Sequence, residues 1–248
     1  MYSNRDSIEM FNQMVAMGHY YASGRPVAVD PAIIVEDVCS KLPMTKTDVV
    51  LDVGCGTGVV TIPLARRCRF IHALDAGEKV IETARAHCRQ EAVQNIAYDV
   101  GGALYLPFGD DFFDYVLMYA VIHYLKDEKQ VRQCVGELVR VCKPGGRVLI
   151  AEIPDQRVRQ EFEQKPKTPE ELKILEDFKA NRNEYDRLFK EYVQKNSSQT
   201  GLVLDCQQMI EEGRRLGCEG RVCRQDIRQP FSLTRRDVLL IKSKGPSS

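Results

Sequence analysis

Three glycines at alternate positions, Gly54, Gly56 and Gly58, follow a short apolar run that carries one carboxylate, Asp52. Glycine tolerates positive φ and has no Cβ, so a turn of this composition lets a ligand come against the backbone and meet its N–H groups. That is the chemistry of binding rather than of bond making. A second carboxylate, Asp75, ends the apolar stretch Phe70-Ile-His-Ala-Leu about 20 residues past the loop, where doubly wound folds place the acid that grips ribose hydroxyls. A dinucleotide is disfavoured, because the G-x-G-x-x-G fingerprint needs glycine at position 59 and Val59 stands there.

The order Asp52-Val-Gly-Cys-Gly-Thr-Gly58 resembles the nucleotide loop of class I S-adenosylmethionine-dependent methyltransferases. Four further segments follow in that family's order and with it cover roughly Asp48 to Ile153, about half of the chain. They are Phe70 to Asp75; Tyr98-Asp-Val-Gly-Gly-Ala-Leu-Tyr-Leu-Pro-Phe108; Phe113 to Leu125; and Leu138-Val-Arg-Val-Cys-Lys-Pro-Gly-Gly-Arg-Val-Leu-Ile150. The resemblance implies S-adenosyl-L-methionine as cofactor, with S-adenosyl-L-homocysteine as product. It also implies a Rossmann-like, doubly wound, mostly parallel seven-stranded α/β sheet with an antiparallel C-terminal edge pair, N-terminal helices and a helical insertion. On the matching positions, Gly54, Cys55, Gly56 and Gly58 supply backbone, and Asp52 orders the loop or meets the amino-acid end. Asp75 takes the ribose, Ala76 lines the adenine, and the backbone carbonyls of Met118 and Tyr119 meet the methionyl ammonium. The chain departs from the family at Gly102, where Asp is usual, so the adenine edge is left to the backbone of Gly102 and Ala103.

Methyl transfer from a sulfonium is an in-line displacement whose activated leaving group the cofactor already carries, so the protein mainly positions. A hydroxyl acceptor must also lose a proton. His123 is the side chain of the fourth-strand segment that titrates near neutrality, and an imidazole of ordinary pKa suits a general base and would give an acid limb to the pH–rate profile. His19 is a second candidate, and His72 and His87 read as structural. Tyr20 and Tyr21, in the stretch His19 to Pro26, resemble a flap over the cofactor that touches substrate, and Tyr124 adjoins His123 on the acceptor side.

These residues need a scaffold. The run Val49-Val-Leu-Asp-Val53 suits a strand buried on both faces of a parallel sheet, and the alternation of apolar runs with helix-length segments from 48 to 153 is the pattern of an α/β core. Helices are expected over Ser7–Gly18, Pro31–Leu42, Thr61–Cys68, Gly77–Arg89, Lys129–Val141 and Gln207–Leu216, with Lys143-Pro-Gly-Gly146 as a turn. Strands are expected over Arg221–Ile227 and Asp237–Ser243. The chain divides into an N-terminal helical cap (1–47), the S-adenosylmethionine-binding core (48–153), a helical insertion as lid over the acceptor pocket (154–200) and a closing helix and strand pair (201–244). Within the insertion, Thr168-Pro-Glu-Glu171 has the form of a capping box opening one long helix, and residues 155–195 carry ten basic and ten acidic side chains.

Lys plus Arg and Asp plus Glu number 35 each, so no global charge draws the chain to nucleic acid or an anionic membrane. Residues 214–244 hold nine basic and three acidic side chains, the one feature favouring RNA, but no aromatic residues interleave with them as a stacking platform requires. No run of 18 or more apolar residues and no signal-like start is visible, so a cytoplasmic chain is expected. Nine cysteines without a C-x-x-C pair read as reduced thiols, with no metal site. The expected activity is methyl transfer to an O- or N-nucleophile of a small molecule. An RNA or protein methyltransferase and a non-catalytic S-adenosylmethionine-binding scaffold are the alternatives.

Overall fold

The computed structural model describes residues 8, 9, 11, 12, 15, 30–180, 202, 204–229 and 231–244. Seven strands form one sheet in the order β3-β2-β1-β4-β5-β7-β6, with β1 Val49–Val53, β2 Phe70–Asp75, β3 Ile96–Val100, β4 Phe113–Tyr119, β5 Cys142–Ile153, β6 Cys218–Cys223 and β7 Arg236–Lys242. The first five are mutually parallel, and β7 lies antiparallel between β5 and β6. The chain order reverses direction at β1, where β2 lies on one side and β4 on the other; open sheets of this kind bind ligands outside the carboxyl ends of the strands at that point.

Every residue of β1 is buried, because alternate side chains feed two cores. Leu51 and Val53 join Val116, Met118 and Ile150 against α4 (Glu128–Val141) and α7 (Cys206–Arg215). Val50, Leu117 and Leu149 face α1 (Pro31–Lys41), α2 (Thr61–Ala65) and α3 (Glu78–Gln90). The helices start where short polar side chains can cap them: Asp30, Asp127 and Asp205 accept from the backbone N–H of Ala32, Gln130 and Gln207. In the insertion, α5 (Gln156–Gln164) precedes α6 (Pro169–Ala180), and the capping box is present. The Thr168 N–H donates to Glu171 Oε2 at 2.9 Å and the Glu171 N–H to Thr168 Oγ1 at 3.2 Å. The expectation of one long helix beyond 180 falls outside the described residues.

Three boundaries differ from expectation. Helix α2 stops at Ala65 rather than Cys68, because its end tightens into three-residue turns, Arg66 N–H to Pro63 O and Arg67 N–H to Leu64 O. Lys143 to Gly146 is not a free turn but a bulge inside β5, whose register on β4 jumps from Phe113↔Cys142 to Tyr115↔Arg147. β6 begins at Cys218 and ends at Cys223, earlier than Arg221–Ile227, because residues 218–223 pair with β7 and the chain then leaves the sheet.

A buried polar network ties α1 to the sheet. Lys41 Nζ lies 2.6 Å from Asp37 Oδ2 and 2.7 Å from Asp237 Oδ2, with all three side chains at most 8% exposed. Burial alone would push the Lys41 ammonium down, but Asp237 and Asp37 outweigh it and hold it above its ordinary value. Gln229 donates to Asp37 at 2.8 Å and accepts from the Tyr119 hydroxyl at 2.6 Å, while Asp237 Oδ1 accepts from the Glu152 N–H at 2.8 Å. Removing one partner of such a pair leaves uncompensated buried charge. Lys41→Met should therefore cost about 3–5 kcal/mol in denaturant unfolding, and a loss below about 1 kcal/mol would show that the two carboxylates find other partners.

Candidate active site

The glycine loop is closed at its start and open in its middle. The N–H groups of Gly54 and Cys55 donate to Leu74 O at 2.6 and 3.0 Å, which draws the end of β1 against β2. Gly54 has φ +78°, and a Cβ there would stand 2.2 Å from Val121 Cγ2, so neither the backbone nor the loop after β4 admits another residue. Gly56 also has positive φ, yet nothing lies within 4 Å of the place a Cβ would take. That open space is the cradle the sequence pattern calls for.

Asp75 faces it. Its Oδ2 accepts from the Gly56 N–H at 3.0 Å and its Oδ1 from the Gly77 N–H at 2.9 Å, so the carboxylate pins the loop to the start of α3. Burial raises its pKa, and the N–H groups of Gly77, Gly56 and Ala76 pull the other way. His87 Nδ1 is 3.1 Å from Thr57 O, which gives this histidine the supporting place expected of it. His72 lies among Phe70, Phe108, Phe112 and Phe113, away from the loop. Gly101 donates to Asp75 O at 2.9 Å, and beside it Gly102 is half-buried and Ala103 buried. The side chain of Met118 is fully buried and meets Cys134 Sγ at 3.8 Å, while that of Tyr119 is taken by Gln229. Both leave backbone as the part a ligand can meet. A nucleoside with a cationic amino-acid tail fits this set: open backbone, two carboxylates and no side chain over Gly56.

The acceptor side is built by the ends of β4 and β5. Ala120 and Glu152 have φ of +58° and +61°, a conformation in which non-glycine residues are strained. A 3₁₀ turn, Ile122–Tyr124, follows, and the ring of His123 lies on that of Tyr124 with centroids 4.2 Å apart. His123 Nδ1 is buried without a hydrogen-bond partner. Burial pushes its pKa down to about 3, and the Arg235 guanidinium adds to the shift. The expected acid limb near neutrality is thereby corrected: this imidazole is neutral throughout the physiological range. Arg235 pairs with the buried Glu152 at 3.1 Å and stacks on Phe231 at 4.1 Å. His19, Tyr20 and Tyr21 lie outside the described residues. Glu152, Arg235 and Asn12 were not singled out in the sequence, although Glu152, a carboxylate in the last residues of an apolar strand, carries the same signal that marks Asp75. Among the described residues no group of three His, Cys, Asp or Glu side chains is set to hold a metal ion, and all nine cysteines are unpaired.

Asp52 lies beneath the loop, 2% exposed, its Oδ2 accepting from Thr61 Oγ1 at 2.6 Å. Burial, with repulsion from Asp75, raises its pKa from 3.8 to about 7 against the pull of Thr61. The folded chain thus keeps a proton between about pH 4 and 7 that the unfolded chain has released, and stability falls as pH rises through that window. The full span corresponds to roughly 4 kcal/mol. Asp52→Asn keeps the Thr61 bond and removes the charge, so it should raise the ligand-free Tm at pH 8 and leave it nearly unchanged at pH 4. Equal effects at both pH values would mean that Asp52 does not titrate in this range.

Residues 50–146 match the family model described as a methyltransferase domain. The chain is 31% identical over 142 residues to methyltransferase GfsG of Streptomyces halstedii, covering 54% of this chain and 50% of that protein. It is 33% identical over 119 residues to the demethylmenaquinone methyltransferase of Tropheryma whipplei, covering 48% and 47%. The chain spans about half the length of the curated relatives it matches. Its fold is shared with a putative S-adenosyl-L-methionine-dependent methyltransferase of Methanococcus maripaludis, at TM-score 0.61, 18% identity and full coverage of both chains. It is shared also with phosphoethanolamine N-methyltransferase 1 of Haemonchus contortus, whose structure holds phosphoethanolamine and S-adenosylhomocysteine, at TM-score 0.66, 15% identity and coverage of 100% of this chain and 51% of that one. With the glycine loop, Asp75 and the strand order 3-2-1-4-5-7-6 all in place, the chain belongs to the class I S-adenosylmethionine-dependent methyltransferases.

Proposed function

We propose that the chain transfers a methyl group from S-adenosylmethionine to an O- or N-nucleophile of a small molecule. The observation that carries this reading is the pairing, at the carboxyl ends of adjacent strands, of an open glycine cradle held by Asp75 with an unpartnered neutral imidazole, His123. The cofactor supplies the sulfonium leaving group when bound. The chain supplies position: the glycine backbone, Asp52 and Asp75 hold the cofactor, and His123 Nδ1 accepts a hydrogen bond from the attacking group. An imidazole held neutral this strongly orients its partner more than it removes a proton.

Two further observations support a small acceptor. The basic C-terminal segment is largely neutralised by its own contacts. Arg228 pairs with Asp226 and Glu36, Arg235 with Glu152, Lys242 with Asp111, and Arg215 with Glu212, which leaves few of these cations to release counterions from a nucleic acid. The relatives named above for an acceptor are named for small molecules, demethylmenaquinone and phosphoethanolamine. We assign the insertion, residues 154–200, as a lid over the acceptor, and residues 1–47 as a cap; no described helix is long and apolar enough to cross a membrane.

A panel of small phenols, carboxylates and amines, each incubated with S-adenosylmethionine, tests the activity through formation of S-adenosylhomocysteine; turnover of tRNA or protein in place of every small acceptor would refute the proposal. For the cofactor, Asp75→Ala should weaken S-adenosylhomocysteine binding by about 1.5–3 kcal/mol. Calorimetry measures it, and unchanged affinity in a folded variant would remove Asp75 from the site. For the acceptor side, His123→Asn should lower kcat about tenfold by the same factor at every pH from 5.5 to 9. A loss of about 10²–10⁴ with an acid limb near neutrality would instead make His123 a titrating base.

A further inference from the structure

The N-terminal helical residues lie across the crevice. Phe11 meets Tyr124 edge to face, with centroids 5.1 Å apart and planes at 87°, and Tyr124 follows β4. Phe11 also packs with the buried pair Val15 and Val80, and Val80 is in the first turn of α3, after β2. The two contacts therefore fall on the two walls that flank β1 and its glycine loop. The distance is right: two strand spacings are about 9.6 Å, which one turn of helix with side chains reaching out on both sides covers.

Between those anchors stands Asn12. Its Oδ1 is buried and has no hydrogen-bond donor among the described residues. It is pressed against the backbone at Gly77, where a Cβ would stand 3.0 Å from it and 2.8 Å from Val80 Cγ2. Gly77 in turn donates to Asp75, the residue read as the ribose acid. A buried carbonyl oxygen left without a donor is unfavourable, and a ligand with O–H or N–H groups at this spot removes the deficit. The nucleoside end of the cofactor has such donors, in its ribose hydroxyls and its adenine amine.

We propose that residues 8–15 form a lid over the cofactor and that Asn12 binds the nucleoside end from above, opposite Asp75. The proposal rests on the S-adenosylmethionine reading of the crevice and adds to it a residue and a gate. Its consequence is kinetic as well as energetic. The cofactor enters only when the Phe11–Tyr124 contact opens, and the same contact bears on His123 through its stacking with Tyr124. Closure over the cofactor thus sets the acceptor-side ring.

The full chain, titrated with S-adenosylhomocysteine and separately with 5′-deoxy-5′-methylthioadenosine, which keeps the nucleoside and lacks the amino-acid tail, tests this. Asn12→Leu should weaken both ligands by the same factor, about 10- to 50-fold, chiefly through faster dissociation. Phe11→Ala should speed both association and dissociation in stopped-flow traces. Amide exchange over residues 8–15 should slow on ligand binding in the parent and much less in Asn12→Leu. Affinities of Asn12→Leu within twofold of the parent, or an association rate untouched by Phe11→Ala, overturn the lid while leaving the methyltransferase reading intact. A parent chain that binds neither ligand overturns both.

Discussion

The site depends on one carboxylate. Asp75 accepts from Gly56 on one side and Gly77 on the other, and Leu74 beside it accepts from Gly54 and Cys55. These four bonds hold the loop after β1, the end of β2 and the start of α3 as one rigid edge. A group that accepts two N–H bonds while buried is fixed in direction, so its remaining lone pairs point at whatever enters the crevice. The cost is electrostatic: Asp52 lies close enough below that each carboxylate disfavours ionisation of the other, and only a cation between or above them relieves that repulsion. The ligand-free chain is thus less stable than its folding alone requires, in the place where it meets a cationic cofactor.

The acceptor side is held differently. Ala120 and Glu152 sit in a left-handed conformation that costs about 1–3 kcal/mol each, and it persists because neighbours fix the backbone on both. The Ala120 N–H is taken by Ala151 O and the Glu152 N–H by Asp237. Asp237 is itself fixed by Lys41, and Lys41 by Asp37, which reaches Tyr119 at the end of β4 through Gln229. A helix before the sheet, α1, therefore determines how the ends of β4 and β5 are aimed. This also explains why the C-terminal basic residues are no nucleic-acid surface: several of them serve as internal counterions for the same ends.

What could be read from the sequence was what is local in the chain. The strand–glycine–helix unit from Val49 to Ala65, the ribose acid at Asp75 and the capping box at Thr168 are each decided by residues a few positions apart, and each is where the pattern puts it. Lys143-Pro-Gly-Gly146 has the composition of a turn, yet the neighbouring strand β4 and the lysine side chain hold it as a bulge, Lys143 Nζ lying 2.6 Å from Asp114 Oδ1. Long-range partners left no mark. Nothing near Asp37 or Lys41 announces Asp237, 196 residues beyond Lys41. Nothing near Asn12 announces Gly77. The neutrality of His123 was equally illegible, since it follows from burial and from Arg235, both set by tertiary packing.

The two ends of the crevice carry opposite electrostatics, and the reaction makes use of both. At the cofactor end, Asp52 and Asp75 present negative charge without a positive side chain among their causes of shift. At the acceptor end, Arg235 is compensated by Glu152 but still bears on His123, which it keeps neutral. A sulfonium is cationic and an attacking oxygen or nitrogen is electron-rich, so this polarity draws the leaving group to one side and the nucleophile to the other. In-line displacement requires that separation, with the methyl group between them. A protonated His123 would oppose it twice, by repelling the sulfonium and by offering the nucleophile a donor in place of an acceptor. Burial that keeps the imidazole uncharged is therefore part of the site's chemistry and not a by-product of packing.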